Sequence, residues 1–221
     1  MTELNHRKLC EIGARFLKRP ESANGHGCHF AIVEPACYGE NPDVFGIRHG
    51  VNTLTFLLEA KMSRSDFLAD KKKPHRMNPE TGIGKYRYFI CPNGLIKPEE
   101  LPEKWGLIYV SPKGICKVIA GILAAPKIKY YCEWSKTNKS HIDHKAVEEN
   151  FKTLAFNERN FQNEMNLLTM ALARLADAEE ILYMQRNYLA LKQKNADLTH
   201  EIHQMNRSLK LAEFNSLRGA P

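Results

Sequence analysis

Asp43, Glu59 and Lys61 are the residues whose types and spacing have the most chemical content. Asp43 follows Pro42 and opens a segment in which Val44, Phe45 and Ile47 suit a strand. Glu59 closes the next apolar run, Leu54-Thr55-Phe56-Leu57-Leu58, sixteen residues after Asp43. A strand, a turn through Arg48-His49-Gly50 and a returning antiparallel strand fill that interval and bring the two carboxylates together. Glu59 and Lys61 lie two apart, so on an extended chain they share a face while Ala60 points into the packing. Converging carboxylates make an oxygen-rich site for a hard divalent cation such as Mg²⁺ (or Mn²⁺). A lysine beside them can orient or deprotonate a water and stabilise phosphorane-like charge. Taken alone, a Glu and a Lys two apart at a strand end form an exposed ion pair of little energetic weight.

Pro42-Asp43, the apolar strand and Glu59-Ala60-Lys61 together resemble the signature of the PD-(D/E)XK nucleases. The run from Glu59 to Asp70, the segment Tyr88-Phe89-Ile90-Cys91-Pro92 and the segment Gly106-Leu107-Ile108 are similar to one branch, the MmcB-like DNA-repair nucleases. The resemblance covers about residues 28–118 and leaves the C-terminal part unexplained. It implies an α/β fold with a restriction-endonuclease-like mixed sheet flanked by helices. It also implies hydrolysis of DNA phosphodiesters, in DNA repair or in mobile-element (phage) DNA processing. Asp43 and Glu59 would hold Mg²⁺ or Mn²⁺ with the Ala60 carbonyl, and Lys61 would position the attacking water. Many such nucleases carry a first-helix acid that reaches the metal, which makes Glu11 a candidate ligand; a solvated helix face is its other reading. The rival function is a catalytically inactive DNA-binding or scaffold protein on the same fold.

The elements that must position these groups are readable in order. Residues 3–18 form a first helix, with Leu9, Ile12, Phe16 and Leu17 near one face and Pro20 closing it. Cys28 to Val33 is a strand, and Glu34 at its end lies near Asp43 if the two strands are adjacent. His26, Cys28 and His29 lack a second ligand pair at a useful distance, so they read as a loop entering a strand. After Lys61 comes a helix, with Ser63 as N-cap, Lys71, Lys72 and Lys73 at its end and Pro74 stopping it. Those lysines complement the helix dipole. Alternatively Arg64, Lys71, Lys72, Lys73, His75 and Arg76 line a track for DNA phosphates. A loop over 77–85, a strand over 86–90, a strand over 105–110 and a returning strand over 115–119 complete the core. Within 120–140, Lys127, Lys129, Tyr130, Tyr131 and Trp134 suit either nucleic-acid contact or packing.

From about Asp143, Gly and Pro vanish until Gly219 and helix formers dominate. Ile181, Met184, Tyr188, Leu191, Asn195, Leu198, Ile202, Met205, Leu209 and Ala212 alternate spacings of three and four. That is a heptad seam with one Asn at an a position, a device that fixes register and favours two strands. It predicts a homodimer through a coiled coil at 178–214, with a fold-back amphipathic helix as the alternative. The chain thus divides into a nuclease-like core, 1–135, and an all-α region, 136–221.

Composition sets outer bounds. The 221 residues carry a net charge of +7 and a pI near 9.1, which suits a polyanionic partner such as DNA. Six scattered cysteines without C-x-x-C spacing point to reduced thiols rather than a disulfide frame or zinc site. No apolar run approaches a membrane span and no signal-peptide core precedes the first helix, so the expectation is a soluble, cytoplasmic protein.

Overall fold

The computed structural model describes residues 4–35, 39–173 and 178–218, with side chains in the last stretch described from 182 to 209. It is an α/β chain in two compact units, residues 1–170 and 171–221.

The first unit is built on a mixed sheet of six strands in sequence order. These are β1 (Phe30–Val33), β2 (Val44–Arg48), β3 (Leu54–Ala60), β4 (Tyr86–Pro92), β5 (Trp105–Val110) and β6 (Cys116–Ala120). β1, β2 and β3 run antiparallel, β3, β4 and β5 parallel, and β5 and β6 antiparallel. The three central strands are almost wholly buried, which explains why they read as near-continuous apolar runs and not as alternating ones.

Helix α1 (His6–Lys18) begins at Asn5, whose side chain accepts from the Lys8 amide, and it lies on one face of the sheet. Leu9, Cys10, Ile12, Phe16 and Leu17 pack there with Val44, Phe56, Leu58, Tyr88 and Ile90. The approach is close: a Cβ at Gly13 would sit 2.8 Å from Leu58 Cδ1, and one at Gly46 2.8 Å from Leu17 Cδ1. Glycine at both positions lets the helix settle on the sheet and carries its first turn over the ends of β1 and β2.

The opposite face holds Phe45, Leu57, Phe89 and Leu107, covered by Phe67 and, from further along the chain, Phe156 and Leu167. Phe67 belongs to α2 (Arg64–Asp70), capped by Ser63, whose hydroxyl accepts from the Asp66 amide at 3.2 Å. Pro74 does more than end this helix. It stands in the first turn of a separate short helix, α3 (Pro74–Met77), where its missing N–H costs nothing.

Residues 127–142 differ from the expected boundary. β7 (Lys127–Cys132) and β8 (Thr137–Ile142) pair as an isolated antiparallel hairpin, so the helical region starts only at α4 (His144–Thr153). Residues 136–142 are therefore mostly strand. The segment after α4 also returns to the sheet: the Phe156 amide donates to Lys85, and the Asn160 amide to Gly82. Glu164, on α5 (Phe161–Ala173), accepts from the Thr55 hydroxyl, the Gly84 amide and Arg159. Those bonds tie 154–164 to the core, within the first compact unit.

The second unit holds α6 (Ala178–Arg218), 41 residues long. On it Met184, Tyr188, Leu191, Leu198, Ile202, Met205 and Leu209 are all exposed. Ile181 and Ala212, the ends of the expected seam, have side chains outside the described residues. No described helix is long and apolar enough to cross a membrane. None of the five described cysteines is in a disulfide.

Candidate functional site

In the β2–β3 ladder Val44 faces Leu58, so Asp43, one residue ahead of β2, stands opposite Glu59. Asp43 Oδ2 accepts the Ala60 N–H at 2.7 Å, which pins the carboxylate to the end of β3. Its other oxygen, Oδ1, lies 3.5 Å from His6 Nε2, on the α1 side. Glu59 and Lys61 leave β3 toward α2, where Glu59 is buried and Lys61 Nζ lies 3.5 Å from Glu59 Oε2. Burial and, next, the charge of Glu59 raise the pKa of Asp43; the Ala60 amide, His6 and Lys61 oppose this. The two carboxylates thus repel one another across the ladder end, yet each is committed to different neighbours.

Glu59 sits in a buried cluster of three carboxylates and three cations. Its Oε2 is 2.9 Å from Lys73 Nζ, and its Oε1 3.2 Å from an Arg76 guanidinium nitrogen. Asp70 receives Lys61 and Lys73, both at 2.9 Å, and Arg76 at 2.6 Å. Glu40 accepts from Arg76 and from the Ile83 amide, both at 2.8 Å, and His75 Nε2 lies 3.2 Å from it without forming a hydrogen bond. The Arg76 guanidinium also lies 4.3 Å from the Trp105 ring centroid. Burial works against the charged form of Asp70, but Arg76, Lys73 and Lys61 outweigh it and hold the carboxyl at about 2. Burial likewise opposes the charge on Lys73, and Glu59 and Asp70 outweigh it and raise its pKa. For His75 burial prevails over the attraction of Glu40 and the pKa falls.

The residues expected to meet DNA therefore separate. Lys73, His75 and Arg76 are turned into the carboxylate cluster, and Arg64 is paired through two bonds with Glu100. Lys71 and Lys72 remain exposed, Lys71 lying over the Phe67 ring. Glu11 pairs with Arg7 and Lys8 of its own helix; the helix residue that faces Asp43 is His6. Glu34 comes to this neighbourhood as well, its amide donating to the Asp43 carbonyl and its carboxylate 3.6 Å from His6 Nδ1. His26 is no ligand: it is buried among Phe16, Phe56 and Tyr88, where desolvation pushes its pKa down to about 3.

No protein-family model matches the chain. No curated protein matches it either. Among solved structures it is similar to a protein of unknown function from Silicibacter pomeroyi, at 19% identity over 79% of this chain and 91% of that one, with a TM-score of 0.42.

Sequence reasoning did not find Glu40, Asp70, His6 or Cys10. Glu40 had no signal beyond being an acid near a candidate site, and Asp70 entered only as the last residue of the run from Glu59 to Asp70, with no role attached. His6 and Cys10 did, since residues four apart on a helix share a face.

The β7–β8 hairpin presents another surface. Lys127, Lys129, Lys136 and Lys139 stand on it against a single acid, Glu133, which pairs with Lys136. Tyr130, Tyr131 and Trp134 are exposed, Trp134 almost entirely. Lysines among exposed aromatics form a surface on which phosphates and base faces can both be met.

Proposed function

We propose that the chain is a metal-dependent DNA nuclease of the PD-(D/E)XK type, with Asp43 and Glu59 as metal ligands and Lys61 beside them. The observation that carries this reading is Asp43 fixed by the Ala60 amide opposite Glu59, with Lys61 two residues further on the Glu59 side. The order helix, three antiparallel strands, helix, parallel strand is also what the resemblance implies for the nuclease core. A donor set made only of carboxylate and carbonyl oxygen suits Mg²⁺ or Mn²⁺, and a cation there would offset both the burial and, next, the Glu59 charge that raise Asp43. When bound, such an ion polarises the scissile phosphate and activates water. Lys61, held between Glu59 and Asp70, keeps an ammonium at a fixed place where it can orient that water. Lys73 occupies Glu59 Oε2 and is the most exposed of the three cations, so it is the group that must yield to a metal.

DNA contact is assigned to exposed Lys71 and Lys72 and to the hairpin, whose basic and aromatic side chains suit a polyanion with stackable bases. The seam on α6 is covered by a second copy, its single Asn195 setting register in a two-stranded coil. One observation favours a second reading, a DNA-binding scaffold without hydrolysis: Lys61, Lys73 and Arg76 all contact Glu59.

The test is cleavage of single-stranded, duplex, flap and abasic DNA by the full-length protein with and without Mg²⁺ or Mn²⁺. Asp43→Ala and Glu59→Ala should each lower the rate at least about a hundredfold, because metal stabilisation of the transition state is worth several kcal/mol. Lys61→Ala should lower turnover more than metal affinity, and Lys73→Ala should reduce the Mg²⁺ needed for half-maximal cleavage. Binding of DNA with no metal-dependent cleavage of any substrate selects the scaffold reading.

A further inference from the structure

On the α1 side of Asp43 lies a group that the oxygen-only site does not use. His6 and Cys10 stand one helical turn apart on α1, with Cys10 Sγ 3.7 Å from His6 Nδ1. His6 Nε2 is 3.5 Å from Asp43 Oδ1. One ligand atom from each of His6, Cys10 and Asp43 lies within 4.8 Å of the others. Glu34, at the end of β1, brings Oε1 to 3.6 Å from His6 Nδ1 and stands beside a fourth position.

We propose that His6, Cys10 and Asp43, with Glu34 at the open position, bind a borderline-soft divalent transition metal such as Zn²⁺.

The donor set decides the class of metal. One imidazole, one thiolate and carboxylate oxygen suit Zn²⁺ or Co²⁺ and are a poor set for Mg²⁺, which takes oxygen ligands alone. Around a tetrahedral ion with metal–nitrogen and metal–sulfur bonds of zinc length, ligand atoms lie roughly 3.3–3.6 Å apart. His6 meets Asp43 through Nε2, at 3.5 Å, and Cys10 through Nδ1, at 3.7 Å, so the half-exposed ring must turn until one nitrogen serves the ion, in a group whose ligand atoms already lie within 4.8 Å of one another.

The surroundings are built for orientation and access. Asp43 spends Oδ2 on the Ala60 amide, which fixes the carboxylate and leaves Oδ1 turned to His6. Cys10 is fully buried, so its sulfur is held in place by the core, whereas His6 and Glu34 are half-exposed and open the group to solvent. Without an ion, burial and then the charges of Asp43 and Glu34 keep the Cys10 thiol protonated, pushed up to about 12. A divalent ion reverses that balance: the S–H bond breaks, the proton passes to solvent and a metal–sulfur bond forms.

The proposal shares Asp43 with the nuclease reading but does not depend on it. The test therefore reads metal binding and not cleavage. Full-length metal-free protein is titrated with Co²⁺ and followed by the near-ultraviolet thiolate-to-metal charge-transfer absorption. A band saturating at one equivalent, displaced by Zn²⁺ and absent in Cys10→Ser, is expected. His6→Ala changes a half-exposed side chain, so it tests the site even if the buried cysteine variant folds poorly; it should weaken Co²⁺ binding at least about tenfold. Lys61→Ala, which belongs to the nuclease apparatus and not to this group, should leave the band intact. No band in the wild type, a band that persists in folded Cys10→Ser, or unchanged affinity in His6→Ala overturns the assignment. In each of those cases His6, Cys10 and Asp43 are polar neighbours and nothing more.

Discussion

Acidification tests the packing that joins α1 to the sheet, through His26. Its imidazole lies 4.5 Å from the Phe56 ring centroid, 5.2 Å from Tyr88 and 5.5 Å from Phe16, and its Nε2 is buried without a hydrogen-bond partner. Desolvation, with Arg48 adding to it, lowers the pKa from 6.5 to about 3. The unfolded chain takes up a proton as pH falls through 6.5, and the folded chain does so only near 3. A folded-state pKa that is depressed in a base means stability lost on acidification, beginning at the unfolded pKa and levelling off at the folded one. At pH 5 the loss is about 1.5 pH units at 1.36 kcal/mol each, or about 2 kcal/mol, and at pH 7.5 it is close to zero. His26→Phe keeps a ring of similar size among the three aromatics and removes the titration. Urea unfolding at pH 7.5 and pH 5, followed by fluorescence of the buried Trp105, gives both stabilities. The wild type should lose about 2 kcal/mol more than His26→Phe between the two pH values. His75, also lowered, and Asp43, raised, contribute equally to both proteins and cancel in the difference. Parallel losses, agreeing within about 0.5 kcal/mol, would refute the claim that His26 is buried neutral.

Three further outcomes follow from the geometry. Asp70→Asn removes one of the two carboxylates that buried Lys61 and Arg76 share, the other being Glu59, and should cost about 2–3 kcal/mol in urea unfolding at pH 7; a loss below about 1 kcal/mol would show that the cluster is solvated. Replacing Lys127, Lys129 and Lys139 with Gln should flatten the dependence of log Kd for DNA on log salt by roughly one unit for each phosphate no longer neutralised, and Trp134→Ala should weaken single-strand binding roughly tenfold; an unchanged slope and affinity would return the hairpin to a bystander role. Sedimentation equilibrium should find a dimer, and Asn195→Leu should tighten association while loosening the preference for two strands; a monomer at tens of micromolar (roughly where four to five heptads should pair) would leave the α6 seam without a second copy.

What the sequence disclosed followed from local rules. Runs of buried β-branched and aromatic residues located all six sheet strands to within a residue or two, and Ser63 located the start of α2. The period of two put Glu59 and Lys61 on one face, and the hairpin interval put Asp43 opposite Glu59. What it concealed depends on chain reversals. The position of Arg76 is set by Pro74 starting a new helix after a break of three residues, and only that turn carries the guanidinium between Glu40, Glu59 and Asp70. No periodicity encodes such a meeting. The β7–β8 hairpin escaped for the opposite reason: both of its faces are largely exposed, so its residues lack the alternation of a half-buried strand. The interval between α4 and α5 was hidden as well, because its ties to the core are two backbone bonds, from Phe156 and Asn160, and the burial of only Ala155 and Phe156, too short a run to show a period.

Asp43 is where these levels meet, and the reason is the geometry of a strand end. A residue inside β2 would commit its side chain to one face of the sheet. Asp43 lies one position outside, so its carboxylate accepts from the terminal amide of the neighbouring strand and looks toward α1, while its backbone register still sets it against Glu59. A carboxylate so placed can serve oxygen ligands on the α2 side or nitrogen and sulfur ligands on the α1 side. Which of the two it serves depends on the hardness of the ion. If both readings hold, Zn²⁺ and Mg²⁺ compete for one carboxylate, and Zn²⁺ should inhibit Mg²⁺-dependent cleavage by the wild type. Cys10→Ser removes the soft ligand and leaves the oxygen set untouched, so in that variant the same Zn²⁺ concentration should inhibit at least about tenfold less strongly. Equal inhibition of both proteins would mean that Zn²⁺ acts at the oxygen site itself, and that Asp43 serves one side only.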